Sequence, residues 1–301
     1  MLVLEPDQNR RAGLGYGLAA YGLWGVLPLY FVALAPASPT EILGWRIVLS
    51  LVFCVLLLAI RRQLRPALDL LRTPRIARLT AIAGVLILIN WGIFVIATRT
   101  EHVVDAALGY FINPLVTAFL GVVILRERLR VAQWVALGVG ALAVVVLMVG
   151  YGQFPWIALG LAFSFGFYGF VKKRLGDMPA LTGLTLETLW VTPLALLMLV
   201  WVARGSGLEV AANGPVLGVL LASAGIVTSV PLLLFAAATR RLPLSSVGLL
   251  QYLNPILQAL VGIVILAEPM PVERWWGLGL IMVALVIFVS DSLTARRFTG
   301  Q

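Results

Sequence analysis

The chain has 301 residues, 61% of them hydrophobic and 12% charged, with a mean hydropathy of +1.03 and a formal net charge of +9. Soluble domains carry roughly 45 to 50% apolar residues, so this composition excludes a water-solvated fold and leaves lipid as the solvent. One cysteine and one histidine exclude an intramolecular disulfide and argue against a histidine-built metal site.

A hydrocarbon layer about 30 Å thick takes roughly 20 apolar residues as a helix. Ten such stretches follow one another, at 12–34, 40–60, 76–97, 103–125, 131–149, 153–171, 180–203, 215–237, 244–266 and 273–291. The predicted fold class is therefore an all-α integral membrane protein with ten transmembrane helices. The first stretch is too long for a removable signal peptide and lacks a small-residue cleavage site, so it reads as an uncleaved helix. Between the second and third spans, the polar segment 61–78 reads as a surface helix or loop, and Leu64, Leu68 and Leu71 recur in it at helical spacing among arginines that would hold it against anionic headgroups.

When loops are assigned alternately to two sides, 18 of the 22 lysines and arginines fall on one side. Arg99, Arg204 and Arg274 fall on the other, and Arg46 is inside a span. The positive-inside rule then places both termini in the cytoplasm. Charge scattered over short loops is a topology signal, and without a basic domain bearing aromatic platforms no nucleic-acid partner is expected.

The chain is also written twice. Shifted by 141 positions without a gap, the segment 83–145 lays Ala97-Thr98-Arg99 on Ala238-Thr239-Arg240, Asn113-Pro114 on Asn254-Pro255, Glu127 on Glu268 and Trp134 on Trp275. Earlier in the copies, Trp24-Gly25 resembles Tyr168-Gly169 and Glu41 resembles Glu187, at offsets of 144 and 146. The expected domains are residues 1–150 and 151–301, five spans each. An odd number of spans inserts its two copies in opposite orientations, the architecture of alternating-access carriers.

Candidate site residues lie inside the spans. Arg46 is placed near the middle of the bilayer, where an arginine costs roughly 2.5 to 3.5 kcal/mol on insertion scales and needs a partner. Glu187 is the expected partner, as a structural clasp or as part of a site for charged or zwitterionic cargo. Pro114, Pro255 and Pro231 are expected to break their helices, leaving backbone oxygens that require a cavity or another partner. Asn113 and Asn254 would set an amide beside two of those breaks. Trp24, Asn90, Trp91, Tyr110, Tyr168, Thr228, Gln251 and Tyr252 supply the rest of a predicted cavity. Glu41, Glu127 and Glu268 read as helix-end residues with structural or gating roles. No HExxH, GxSxG or P-loop lysine motif occurs, so no enzymatic activity, cofactor or metal is expected.

The run Leu108-Gly109-Tyr110-Phe111-Ile112-Asn113-Pro114-Leu115, the stretch Gly160 to Phe165 leading to Tyr168-Gly169, and Gly225 to Thr228 leading to Pro231-Leu232 resemble RarD-type permeases. These belong to the EamA branch of the drug/metabolite transporter superfamily, and the likeness extends over practically the whole chain. It implies ten helices as two inverted five-helix repeats, a central cavity built by both halves, and residence in a bacterial inner membrane. The function it implies is secondary, non-ATP transport, with export of a small polar or amphipathic metabolite or drug by alternating access. The expected partners are that small molecule and the lipid bilayer. The alternatives are a passive channel and a non-transporting scaffold or lipid-binding protein.

Overall fold

The computed structural model describes residues 6–298 except 126–129, 152–153, 177, 213, 240 and 242–249. Glu127, Arg240 and the first residues of the ninth predicted span lie outside the described residues. The elements, in chain order, are α1 (Pro6–Ala33), α2 (Pro39–Ile60), α3 (Leu64–Asp69) with a 3-10 turn over Leu70–Arg72, α4 (Pro74–Arg99), α5 (Val103–Leu125) and α6 (Val131–Tyr151). They continue with α7 (Trp156–Leu175), α8 (Ala180–Arg204), α9 (Glu209–Ala212), α10 (Gly214–Thr239), α11 (Leu253–Leu260) running into a π turn over Val261–Ile265, and α12 (Val272–Phe298). No strand occurs among the described residues.

Six helices, α1, α2, α4, α6, α8 and α10, are long and apolar enough to cross a membrane. The apolar parts of α5, α7 and α11 with its π turn are shorter. Bulky apolar side chains such as Val149, Trp201 and Val216 face outward with 72 or 73% exposure, an outer surface that only lipid satisfies. The helix starts follow local chemistry. Ser38 caps α2 by accepting the Glu41 N–H at 3.2 Å, and Pro39 and Pro74 occupy first-turn positions where no donor is missed. Of the surface helix or loop expected between the second and third spans, the structure has a short helix, α3, with Ala67 buried.

The breaks expected at Pro114 and Pro231 are absent, since α5 and α10 run unbroken through them. One lost donor in an otherwise complete ladder does not end a helix whose neighbours stay packed. In the second copy an interruption does occur, at the Gln251–Tyr252 turn just before α11, and Pro255 then occupies the first turn of that helix.

The helices pair in a pattern that repeats itself. α2 packs on α8, α6 on α12 and α5 on α11; α10 packs on α2 as α4 packs on α8, α1 on α10 as α7 on α4, and α1 on α11 as α7 on α5. Two glycines 141 positions apart set the closest backbone-to-backbone contacts among these pairs. A Cβ on Gly84 would fall 2.5 Å from the Glu187 carbonyl oxygen of α8, and one on Gly225 would fall 2.3 Å from the Leu49 carbonyl oxygen of α2. At such distances only glycine lets the backbones meet.

Candidate functional site

Arg46 is seven residues beyond Pro39, about 10 Å along the helix at 1.5 Å per residue. It therefore lies about a third of the way along the 22-residue α2 instead of midway as expected. Only 4% of it is exposed. Its Nε donates to Thr228 Oγ1 of α10 at 3.0 Å. Its guanidinium carbon lies 4.3 Å from the ring centroid of Trp91 on α4 and 5.1 Å from that of Phe31 on α1. Four helices drawn from both halves of the chain thus converge on one cation. Cation–π contacts contribute about 0.5 to 2 kcal/mol each and leave the donors in the guanidinium plane untouched. Nη1 is buried without a hydrogen-bond partner among the described residues.

Asn90, 2% exposed, ties three helices together beside this group. Its Nδ2 donates to the Leu161 carbonyl at 3.2 Å and to Ser164 Oγ at 3.1 Å on α7, and its Oδ1 accepts from the Tyr110 hydroxyl of α5 at 3.3 Å. The side-chain amide is well partnered and holds α4, α5 and α7 in register.

Glu187 does not pair with Arg46. Its fully buried carboxylate accepts from Lys172 Nζ at 2.6 Å and from the Tyr168 hydroxyl at 2.9 Å, both on α7. Depth separates the expected partners. The end of α2 and the start of α8 line one cleft, through Arg61, Gln63, Pro179 and Thr182. From that face Glu187 is seven residues into α8, about 10 Å, whereas Arg46 is fourteen residues back along α2 from Ile60, about 21 Å. A run of ring contacts bridges the gap, from Phe31 through Phe94, Tyr110 and Phe165 to Tyr168, with centroids 5.9 to 6.1 Å apart. The two charged centres thus sit at either end of an aromatic path.

The other predicted residues divide into near and far. Asn113 is 4% exposed and faces Gly166 of α7. Asn254 accepts from Gln258 Nε2 at 2.9 Å, and the same nitrogen lies 3.3 Å from the carbonyl of Trp24, whose ring meets Tyr21 and Phe235. Gln251 and Tyr252 are half-buried in the turn before α11, with Tyr252 against the apolar cluster of α5, α6 and α12. That cluster is separate from the rings around Arg46.

Acids also join the halves. Glu41, with no exposed surface, accepts the Glu209 and Val210 N–H groups at 3.1 and 3.3 Å and so caps α9. Glu268 accepts the Val103 and Val104 N–H groups at 2.6 and 2.9 Å, capping α5. Beside it Arg274 Nη2 meets Asp105 Oδ2 at 3.1 Å. Burial pushes the Glu268 carboxyl above the usual carboxylate range, and the two backbone donors pull it only partway back. Among the described residues no three His, Cys, Asp or Glu side chains gather as a metal site.

Sequence reasoning missed Lys172, Phe31, Ser164 and the Asp105–Arg274 pair. Lys172 was countable only as a loop charge, yet it lies four residues after Tyr168, which puts both on one helical face. Nothing in the sequence marked Phe31 off from the chain's other phenylalanines.

The model of the EamA-like transporter family matches this chain twice, over residues 11–149 and 155–290. Among curated relatives, "Protein RarD" of Streptomyces exfoliatus is 46% identical over 98% of this chain and 93% of its own. "Protein RarD" of Escherichia coli K12 is 41% identical over 99% and 100%. An "Uncharacterized transporter" of Vibrio cholerae is 39% identical over 98% and 97%. A crystal structure matches with a TM-score of 0.60 at 18% identity, covering 93% of this chain and 97% of that one, a likeness of fold alone. The chain therefore belongs to the EamA-like transporter family, among its RarD-type permeases, as a multi-pass protein of the bacterial inner membrane.

Proposed function

We propose that this permease is a secondary transporter that exports a small polar or amphipathic molecule by alternating access. In this reading residues 1–150 and 151–301 are two inverted five-helix repeats, ten transmembrane helices in all, with both termini in the cytoplasm. The paired contacts described above support a two-fold relation, because the most extensive contacts between the halves have their counterparts at the repeat-equivalent helices.

The observation that carries the reading is Arg46. A cation buried to 4% exposure, with one nitrogen unpartnered, sits where α1, α2 and α4 of one half meet α10 of the other. Intramembrane charges of this kind belong to substrate or ion pathways. Asn90, Trp91, Tyr110 and Thr228 form the surround, Tyr168 and Glu187 form the far end, and Asn113, Asn254, Trp24, Gln251 and Tyr252 are candidate lining residues on the flanking helices. Pro255, beside the Gln251–Tyr252 turn, serves as the flexure point in this scheme, and Glu268 with Asp105–Arg274 closes one end of the path. A passive channel requires a continuous wet lining, whereas here the polar groups are separated by packed rings.

The test is flux. Proteoliposomes loaded with a small-molecule extract of bacterial cells should release particular compounds, identified by mass spectrometry, at rates that saturate with internal concentration. The Arg46→Gln protein, inserted in equal amount, should release them at least tenfold more slowly. Flux that rises linearly without saturation would assign a channel, and release no faster than from empty liposomes would assign a scaffold.

A further inference from the structure

Among the described residues, each buried acid that could serve a ligand is already engaged. Glu187 is held by Lys172 and Tyr168, Glu41 by the start of α9, Glu268 by the start of α5 and Asp105 by Arg274. Cations are not balanced in the same way. Lys172 has Glu187 and Arg274 has Asp105, but Arg46 has no carboxylate within salt-bridge distance among the described residues. Among the described residues its guanidinium makes one hydrogen bond, from Nε to neutral Thr228. A buried charge without a counter-ion is costly, and the cation–π contacts of Phe31 and Trp91 offset only part of that cost.

The geometry also states how the missing anion would arrive. Trp91 and Phe31 lie over the guanidinium, so a ligand is kept to the edge, where Nη1 points without a partner. A planar carboxylate matches the donors of that edge. From Phe31 the ring contacts continue to Phe94 and Tyr110, an apolar surround that suits an arene tail. A second, positive group on the cargo would find no acid left to receive it and would face Arg46 itself.

We propose that the cargo is an aromatic monocarboxylate without an ammonium group, seated with its anion on the unpartnered edge of Arg46. The assignment rests on the carrier reading above and narrows it to organic acids over amino acids.

Four probes on one phenyl scaffold test it with the purified full-length protein: phenylpyruvate (carboxylate only), L-phenylalanine (zwitterion), phenethylamine (ammonium only) and 2-phenylethanol (uncharged). Phenylpyruvate should raise the melting temperature in detergent, with an apparent Kd at least tenfold below that of L-phenylalanine, while phenethylamine and 2-phenylethanol give no shift. The phenylpyruvate response should vanish in Arg46→Gln. It should weaken at least tenfold in Arg46→Lys, which keeps the charge and loses the planar fork. Ligand-free Arg46→Gln should melt at or above the wild-type temperature, because it sheds an uncompensated buried charge; should it not accumulate, Arg46→Lys carries the test.

Binding of L-phenylalanine or phenethylamine as tight as that of phenylpyruvate overturns the proposal. So does the absence of any phenylpyruvate shift, its survival in Arg46→Gln, or a ligand-free Arg46→Gln protein that melts below wild type. Counterflow in proteoliposomes separates the two readings. Phenylpyruvate that binds through Arg46 but shows no counterflow removes the carrier and leaves the anion seat. Arg46-dependent counterflow of L-phenylalanine in preference to phenylpyruvate keeps the carrier and removes the organic-acid assignment.

Discussion

At the scale of single residues, charges in the interior are paired with an opposite charge, used to cap a helix or, at Arg46, left without a carboxylate partner among the described residues. Lys172 and Glu187 are the paired case, 2.6 Å apart with side-chain exposures of 29% and 0%. Removing the lysine alone strands a buried carboxylate, whereas removing both charges does not. Lys172→Met should therefore destabilise the protein by about 2 kcal/mol, less than the roughly 3 to 5 typical of fully buried pairs because the ammonium is partly solvated. Lys172→Met/Glu187→Gln should recover most of that loss. Denaturant midpoints of the purified proteins measure both, and a double variant no more stable than Lys172→Met would show that packing, not charge, holds α7 to α8. Arg46 was legible in the sequence as an arginine inside a span, because burial in lipid makes its charge anomalous from composition alone. Its partners were not, because Thr228, Phe31 and Trp91 reach it from other helices and no local spacing reports them. The supposed Arg46–Glu187 pair failed for the same reason. Matching charges in two copies says nothing of their relative depth until the helices are laid side by side.

At the scale of helices, close approach is set by where small residues fall, and the repeat supplies a matched comparison. Gly84 and Gly225 are equivalent positions, as are Gly138 and Gly279. The first pair lets α4 touch α8 and α10 touch α2, with an added Cβ only 2.5 and 2.3 Å from a backbone oxygen; the second pair has nothing within 4 Å. Alanine at Gly84 or at Gly225 should each lower stability by about 1 to 3 kcal/mol, since a carbonyl oxygen cannot rotate away as a side chain can. Alanine at Gly138 or Gly279 should be neutral or slightly stabilising, through helix propensity alone. Melting temperatures of the four variants decide the matter, and equal losses in all four would refute the close-contact account. Both pairs fall in the same 141-residue register, and the sequence does not distinguish them, because what differs is the neighbour each one faces. Prolines misled in the opposite direction. Pro114 and Pro231 read as breaks from their chemistry, yet the surrounding packing carries α5 and α10 straight through them.

At the scale of the whole molecule, the proposed inversion makes a prediction about sides that no contact within the bundle can replace. Glu101 and Ser206 are exposed residues in the connections after α4 and α8, while Asp69 and Gly176 are exposed residues after α2 and α7. With five spans in each copy and cytoplasmic termini, the connections after α4 and α7 belong to opposite faces although α4 and α7 pack together. Cysteine placed at each position in turn, in a Cys54→Ser background, reports its side by reaction with a membrane-impermeant maleimide. Glu101→Cys and Ser206→Cys should be labelled in intact cells whose outer membrane has been permeabilised. Asp69→Cys and Gly176→Cys should be labelled only after the inner membrane is opened. The pattern discriminates because a parallel arrangement of the copies puts corresponding connections on one face: α1 to α2 would share a side with α7 to α8, and the four cysteines would no longer divide two against two in this way. Labelling of Glu101→Cys and Gly176→Cys from the same face would rule out the inverted pair. Arg46 would then have to be explained as a feature of one half alone, despite its bond to Thr228 in the other.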